Sequence, residues 1–395
     1  MRILMINTLY PPFQVGGAEK SVSLLAEALV RSGDEVSVIT LHPEKTTVVE
    51  EKNGVRLYRV PLYNRFWPFA RKEKRNVLLR QLWHTKDMWN REAAREVGRI
   101  LDEVKPDVVH VNNLLGFSVA VMKEIKKRKI RLVHTLRDYW MLCPKCTIFR
   151  NGTTCEKRCL DCKVMSINRK PASQWADAVV SNSDYVLKQH KKHGYFKNVP
   201  SSVVYNIADT NMQITPLERD PEDKTLIFGF IGRIEAEKGI DVVLEATSKL
   251  SNPNWRLRIA GSGLDTYVAN LKRRFTDPRI EWLGFVTAPA FYSSIDVSLI
   301  ASVWAEPLPR TLIETFAAGK SAICAQSGGI PEIASLGKVV ETYPPRDSQA
   351  LASLMDRALG DVDRWRTGGV LDPKSLEIFS ESAITGGYHA VYKGR

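Results

Sequence analysis

The sequence predicts an α/β protein made of two doubly wound parallel-sheet domains facing a cleft. Three observations predict it. The chain has 395 residues, too many for one ordinary domain and about right for two. Strand-length apolar runs alternate with helix-length periodic ones, the β-α-β rhythm of parallel sheets covered by helices on both faces. The rhythm lapses over 210–223, rich in proline and acid, and restarts at Lys224. Hydrophobic residues make up 44% of the chain, enough for two cores.

In the first half, strands are expected at Arg2–Asn7, Glu35–Thr40, Val108–Val111, Ile130–Thr135 and Ala178–Ser181. Helices are expected at Ala18–Ser32, Gly116–Lys129 and Ser183–Lys192, with one long amphipathic run from Asn76 to Glu103. In the second half, strands are expected at Leu226–Ile231, Trp255–Ala260, Arg279–Trp282, Val297–Ile300 and Ser321–Cys324. Ligands of such sheets sit at the carboxyl ends of the strands, so polar and glycine-rich loops there carry the functional reading.

The net charge of +13 is lopsided: residues 1–200 hold 36 basic and 20 acidic side chains, the remainder 21 and 24. A basic first half favours an anionic partner such as a lipid headgroup, a membrane surface or an acidic glycan; a merely solubilising surface is the plainer alternative. Tyr63 to Arg75 mixes aromatics with Arg71, Lys72, Lys74 and Arg75, a composition suited to the water–headgroup interface. The plainer alternative is a loop with its aromatics tucked inward. Met1 to Asn7 reads as a strand start, too short for a signal core, and no stretch reaches about 18 uncharged apolar residues. A cytoplasmic protein, at most peripheral at a membrane, is expected.

The richest chemistry lies in Trp304 to Glu314, after one strand and opening one helix. Glu306 and Glu314 offer two acceptors for sugar hydroxyls, although carboxylates at this spacing also occur on plain solvated helices. Pro309 suits a helix start, and the amides after it point where a phosphate is held. Upstream, Gly232 to Gly239 leaves a strand end and brackets Arg233 and Lys238, two cations placed to share the charge of a diphosphate leaving group. Gly261-Ser262-Gly263 and Gly328 to Glu332 fall on the same sheet edge. In the first half, Gly16 and Gly17 precede a helix, where backbone amides approach an anion closely. No Gly-x-Gly-x-x-Gly dinucleotide fingerprint occurs there. His134, Arg137 and Asp138 end a strand; Arg137 and Asp138 are also able simply to pair with each other.

Five of the six cysteines fall between Cys143 and Cys162. Cys143, Cys146, Cys159 and Cys162 form two C-x2-C knuckles with Cys155 as an alternative ligand, a pattern for a closed, structural zinc site or an iron–sulfur cluster. Disulfides and free thiols stay open. Asp361-Val362-Asp363 matches an Asp-x-Asp metal motif but follows a helix rather than a strand, so it does not read as a metal site.

Together and in order, these segments resemble glycosyltransferase family 4, retaining enzymes of the GT-B fold with two Rossmann-like domains. The markers are Gly16-Gly17-Ala18-Glu19, Ser181 to Asp184, Val204-Tyr205-Asn206, Gly232 to Gly239, Ala260 to Gly263, Glu306 to Glu314, Ala318-Gly319-Lys320 and Gly328 to Glu332. The resemblance implies an acceptor domain over 1–207, a nucleotide-sugar donor domain over 208–375, and a last segment, 376–395, crossing back onto the first. It implies that Arg233 and Lys238 hold the diphosphate, that Glu306 meets donor-sugar hydroxyls and that Glu314 meets the ribose. Gly16, Gly17, Gly232, Gly261, Leu308, Arg310, Thr311 and Leu312 would line the phosphate and sugar site, with Arg137 and Asp138 beside it. Catalysis would need no cofactor. The partners would be a nucleoside diphosphate sugar and a lipid-linked or saccharide acceptor, with contact to an anionic membrane and none to nucleic acid. Two departures stand out: Arg137 replaces a family histidine, and Pro309 a common glycine. A sugar-nucleotide epimerase or a glycan phosphorylase of similar fold would need acid/base carboxylates or a cofactor site that the sequence does not display. A nucleic-acid or membrane binding module would leave the second half's phosphate loops unexplained.

Overall fold

The computed structural model describes residues 1–13, 16–69, 76–208, 212–215, 217–220, 222–369 and 373–394. The chain divides into two compact units. One holds Met1–Ile148, Cys155–Ile207 and Glu381–Arg395; the other holds Phe149–Thr154 and Ala208–Ser380. Two pieces differ from the sequence expectation. Residues 149–154, inside the cysteine-rich loop, cluster with the second unit, and the returning segment begins at Glu381 rather than 376.

The strands of the first half are β1 (Arg2–Ile6), β2 (Glu35–His42), β3 (Val48–Lys52), β4 (Val55–Pro61), β5 (Val108–Val111), β6 (Arg131–Leu136), the two-residue strands β7 (Phe149–Arg150) and β8 (Thr153–Thr154), β9 (Ala178–Ser181) and β10 (Ser201–Val203). All but β7 and β8 form one sheet in the order β10-β9-β6-β5-β1-β2-β4-β3. Only β3 runs antiparallel to its neighbour. The helices are α1 (Gly17–Arg31), α2 (Val77–Met88), α3 (Arg91–Val104), α4 (Ala120–Lys127), α5 (Leu160–Met165), α6 (Arg169–Ser173) and α7 (Asp184–Lys192).

Two features here escape an apolar-periodicity reading. The β3–β4 ribbon has an outer strand exposed throughout, so no alternation marks it. Its signal is the turn: Asn53 and Gly54 both take positive φ (53° and 76°), the two-residue geometry that Asn-Gly favours. The run from Asn76 to Glu103 is two helices, because Asn90 breaks it. The buried Asn90 side chain accepts from Ala93 N at 3.2 Å and donates to the carbonyls of Tyr63 and Gly116. That cap starts α3 afresh.

The second unit adds β11 (Leu226–Ile231), β12 (Trp255–Ala260), β13 (Ile280–Gly284), β14 (Val297–Ile300), β15 (Ser321–Ala325) and β16 (Val340–Tyr343). They form an all-parallel sheet in the order β13-β12-β11-β14-β15-β16. Its helices are α8 (Ile240–Thr247), α9 (Asp265–Arg274), α10 (Ala288–Ser293), α11 (Arg310–Ala317), α12 (Ile330–Ala334), α13 (Ser348–Leu359), α14 (Val362–Thr367) and α15 (Pro373–Glu377). Starting from β11, the chain winds one way to β12 and β13, then crosses to β14 and onward. The loops leaving β11 and β14 therefore flank the topological switch point, the usual ligand crevice of such sheets.

The last helix, α16 (Glu381–Tyr392), belongs to the first unit. Ile384, Tyr388, Val391 and Tyr392 join the core formed by α1 and the sheet. Arg31 holds Glu381 through two hydrogen bonds of 2.8 and 2.7 Å, and His389 meets Asp34 at 2.5 Å.

Candidate functional site

In the second unit, the residues singled out by sequence gather at the switch point. Lys238 ends a short 3-10 turn after β11, and Glu306 sits on the loop after β14. Lys238 Nζ lies 2.6 Å from Glu306 Oε2. The same oxygen accepts from Ser302 Oγ at 3.0 Å and Trp304 Nε1 at 2.9 Å. Lys238 also stands 5.4 Å from the centre of the Trp304 ring, a cation–π contact. Glu306 is buried, so its charge needs these donors.

Close backbone approaches fix the two loops. A Cβ on Gly239 would fall 1.9 Å from the carbonyl oxygen of Ala301, and one on Gly261 1.8 Å from that of Gly232. Both glycines also take positive φ, so no other residue serves there without strain. Val303 N donates to Glu237 O at 2.9 Å, and Gly329 N to Glu306 O at 2.7 Å. Loops from four strand ends are thereby tied into one rigid edge.

Arg233 is differently placed from the simple picture of two cations. Its guanidinium lies 2.6 Å from Glu235 and 3.3 Å from Glu237. Burial first, and then the neighbouring Glu235 charge, push the Glu237 carboxyl above its usual range. Two cations thus face three carboxylates when no anion is bound. A diphosphate reaching them would take the place of protein carboxylates, which then become free to accept other hydrogen bonds.

The helix start is also more occupied than the sequence suggests. Pro309 caps α11 without a side-chain hydrogen bond, and Leu312 N donates to its carbonyl at 3.1 Å. The Leu312 amide is therefore already engaged. Arg310 and Glu314 pair across one turn at 3.1 Å, both largely buried. Thr311 O accepts from the Tyr292 hydroxyl at 3.0 Å, which pins this turn to α10. Leu308 is buried on the loop ahead.

One residue of this edge was not found from sequence. Thr154, on the β7–β8 hairpin, accepts with its Oγ1 from Ala305 N at 3.1 Å, next to Glu306. Nothing local announces it, because the contact spans 151 positions.

Among the candidates of the first unit, Gly16 and Gly17 are exposed, whereas Arg137 faces inward. Gly16 caps α1, and its amide donates to the Glu19 carboxylate at 3.1 Å; Gly17 opens the helix. Arg137 is buried. It donates to Asn112 Oδ1 at 2.8 Å, Asn206 Oδ1 at 2.6 Å and the Tyr388 hydroxyl at 3.2 Å. These bonds clamp α16 to the strand ends, helped by His110, whose ring bonds the hydroxyls of Tyr392 and Thr135 at 2.8 and 2.6 Å. Arg137 and Asp138 do not pair. Asp138 accepts from Trp140 N at 2.7 Å and from Asn113, and burial raises its pKa. A small cavity lined by Asn112, Asn113, His134, Arg137 and Asp138 lies beside them.

Three of the four cysteines singled out as ligands come together, and the fourth turns aside. All are free thiols, and among the described residues no three His, Cys, Asp or Glu side chains form a metal-holding group. Cys162 bonds both Cys143 and Cys159, whereas Cys146 turns its sulfur toward Asn113 Nδ2, 3.9 Å away. The bond from Cys162, and then the amides of Lys145, Ile148 and Thr147, lower the Cys143 pKa against the effect of burial. Asp363 is exposed, 3.8 Å from Lys224, and Asp361 caps α14. Arg71, Lys72, Lys74 and Arg75 lie outside the described residues. No helix among the described residues is long and apolar enough to cross a membrane.

Comparison with known proteins agrees with this geometry. The model of Glycosyltransferase Family 4 matches residues 15–212, and that of Glycosyl transferases group 1 matches 215–366. An uncharacterized 42.6 kDa protein of the cps region of Klebsiella pneumoniae is 33% identical over 395 residues, covering all of both chains. An uncharacterized glycosyltransferase of Methanocaldococcus jannaschii is 26% identical over 91% of this chain and 90% of its own. Among solved structures, the sucrose-phosphate synthase of Thermosynechococcus elongatus superposes with a TM-score of 0.77 at 18% identity, covering 99% of this chain and 98% of that one. Anabaena HepE superposes with a TM-score of 0.72 at 19% identity over the whole of both chains. The two sheets, the glycine-tied switch-point edge and these matches together make the chain a glycosyltransferase of family 4 with the GT-B fold.

Proposed function

We propose that the enzyme is a retaining, metal-independent hexosyltransferase that moves a hexose from a nucleoside diphosphate sugar to a lipid-linked or saccharide acceptor. One observation carries the donor assignment: Lys238 and Glu306, 2.6 Å apart, stand on the two loops that flank the switch point of the second sheet. In keeping with a nucleotide-sugar donor, Anabaena HepE has been crystallised with UDP-glucose and with UDP plus glucose.

The chemistry follows from exchange of partners. The incoming diphosphate displaces Glu306 from Lys238 and competes with Glu235 and Glu237 for Arg233. Glu306, released from the lysine but still held by Ser302 and Trp304, accepts hydrogen bonds from the donor sugar. The bond between the anomeric carbon and the phosphate oxygen breaks with its electron pair going to the diphosphate. Lys238 and Arg233 neutralise the charge that develops there, where preorganised cations count most. The acceptor oxygen bonds the same face of the anomeric carbon, and its proton leaves with the diphosphate. Retention and the lack of a protein nucleophile rest on the family likeness.

A product assay tests this. Incubation with a nucleoside diphosphate sugar and an acceptor releases free nucleoside diphosphate in step with acceptor glycosylation. Interconversion of the sugar nucleotide without release would mark an epimerase, and dependence on inorganic phosphate a phosphorylase.

A further inference from the structure

We infer that Glu235 and Glu237 are positioning residues that stand in for the donor's phosphates: they hold Arg233 until the diphosphate takes over its guanidinium, and one of them takes up a proton as it does. The inference rests on the nucleotide-sugar reading of this edge and deepens it. Arg233 Nη1 lies 2.6 Å from Glu235 Oε2, and Nη2 lies 3.3 Å from Glu237 Oε1. One guanidinium thus spans two carboxylates, the forked geometry with which arginine also grips two oxygens of a phosphate.

The backbone keeps both carboxylates at hand. Glu235 opens the 3-10 turn over Ala236–Lys238, and its carbonyl accepts from Lys238 N at 2.9 Å. Glu237 O accepts from Val303 N at 2.9 Å, which ties the turn to the loop after β14. Gly239 closes the turn against the Ala301 carbonyl, with no room for a Cβ. A turn held in this way does not swing its carboxylates aside when a ligand arrives. Arg233, Glu235 and Glu237 are 30, 36 and 27% exposed, so a partly solvated ion pair that only steadies the turn is the plainer account.

The fate of the displaced carboxylates separates the two accounts. Glu306, on giving up Lys238, keeps Ser302 and Trp304 as donors. Glu235 and Glu237 have no such reserve: among the described residues, no donor nitrogen other than those of Arg233 bonds either carboxylate. Stripped of the guanidinium and set beside a diphosphate, two adjoining carboxylates repel each other and the ligand, and a proton drawn from solvent relieves both repulsions. Glu237 is the one to hold it, because burial first and then the Glu235 charge already raise its pKa in the free chain. Arg233 and Lys238, the cations that oppose its protonation, turn to the diphosphate. Tyr267 on α9 also faces it and stays neutral through burial, its hydroxyl bonded to Asp241 of α8, which pairs with Arg274 at 3.4 Å.

The test is titration calorimetry of the full chain with UDP-glucose, UDP-galactose and GDP-mannose, whose doubly esterified diphosphates do not titrate near neutral pH. Repeating each titration in buffers of different ionisation enthalpy reads the protons exchanged. A donor that binds should draw a proton from the buffer, more at about pH 6 than at about pH 8, and should bind more tightly at the lower pH. Glu237→Gln should bind the same donor without proton uptake and with a flatter pH dependence. Glu235→Gln leaves Arg233 one carboxylate fewer and should bind the donor about two- to fivefold more tightly at about pH 8, the worth of one partly exposed ion pair. Both changes keep the side chain's shape, and melting curves report the fold separately. Binding by the wild type without proton uptake, or uptake that persists in Glu237→Gln, overturns the inference and leaves the donor site standing. Unchanged or weaker binding by Glu235→Gln overturns it as well and makes the pair a brace for the turn. If no donor on the panel binds the wild type, the nucleotide-sugar reading fails and the inference with it.

Discussion

Replacing Lys238 with alanine separates the enzyme's stability from its catalysis. In the ligand-free chain the ammonium satisfies Glu306 at 2.6 Å, but Ser302 and Trp304 continue to donate to that same oxygen when it is gone. The carboxylate is therefore not orphaned, and the cost to folding should be about 1.5–3 kcal/mol, the scale of one charge-assisted hydrogen bond. The catalytic cost should be larger. A preorganised cation opposite the departing charge contributes on the order of 10²–10³ in kcat, about 2.7–4 kcal/mol. Because that interaction strengthens as the diphosphate leaves, kcat should fall more than KM rises. Steady-state release of nucleoside diphosphate measures the rate, and circular dichroism melting measures the fold. A variant that folds normally and turns over within a few-fold of wild type would refute the assignment of Lys238 to the leaving group.

Further outcomes follow from the same geometry. Thr154→Val removes the hydroxyl that accepts from Ala305 N and should cost about 1 kcal/mol of stability with a several-fold loss of turnover, read by melting and product release. Gly239→Ala places a methyl 1.9 Å from the Ala301 carbonyl oxygen at φ 75°, and should lower the melting temperature sharply or abolish soluble expression. Burial lowers the pKa of His84 to about 4, of His134 to about 3 and of His190 to about 4, so each is neutral in the fold yet binds a proton when unfolded near the usual 6.5. Their contribution to stability is present above pH 6.5 and is lost as pH falls toward 4, by about 1.4 kcal/mol per pH unit for each. Denaturant unfolding across pH 7 to about 4 should therefore show the first unit weakening first. Removal of divalent metal by a chelator should leave turnover unchanged, measured in the same release assay.

Much of the architecture was legible because parallel-sheet strands are buried and read as short apolar runs. β11, β12 and β14 lie where those runs end, and the loops after β11 and β14 carry the two charged residues that meet. What escaped the sequence depends on partners distant along the chain. Arg137 reads as a strand-end cation available to an anion. Its three acceptors, at positions 112, 206 and 388, are what turn it into a clamp for α16. Arg233 reads as a free phosphate ligand until Glu235 and Glu237, close in sequence, are seen folded back onto it by the 3-10 turn. The hairpin at 149–154 lies inside a cysteine-rich stretch of the first half, and only tertiary packing reveals that it supports Ala305. The cysteine spacing marked the cluster, and only tertiary packing reveals which thiols meet: Cys162 reaches Cys143 and Cys159, while Cys146 turns toward Asn113.

The central claim is a nucleotide-sugar site built on the edge where Lys238 meets Glu306, and a thermal-shift panel of nucleoside diphosphate sugars tests it most directly. A ligand specific to the native state at a hundred times its Kd should add about 2.7 kcal/mol of stability. At least one such sugar should raise the melting temperature of the wild-type chain, and its shift should be smaller in Lys238→Ala at the same concentration. If no sugar nucleotide shifts the wild-type transition, or if one shifts both proteins equally, the site lies elsewhere.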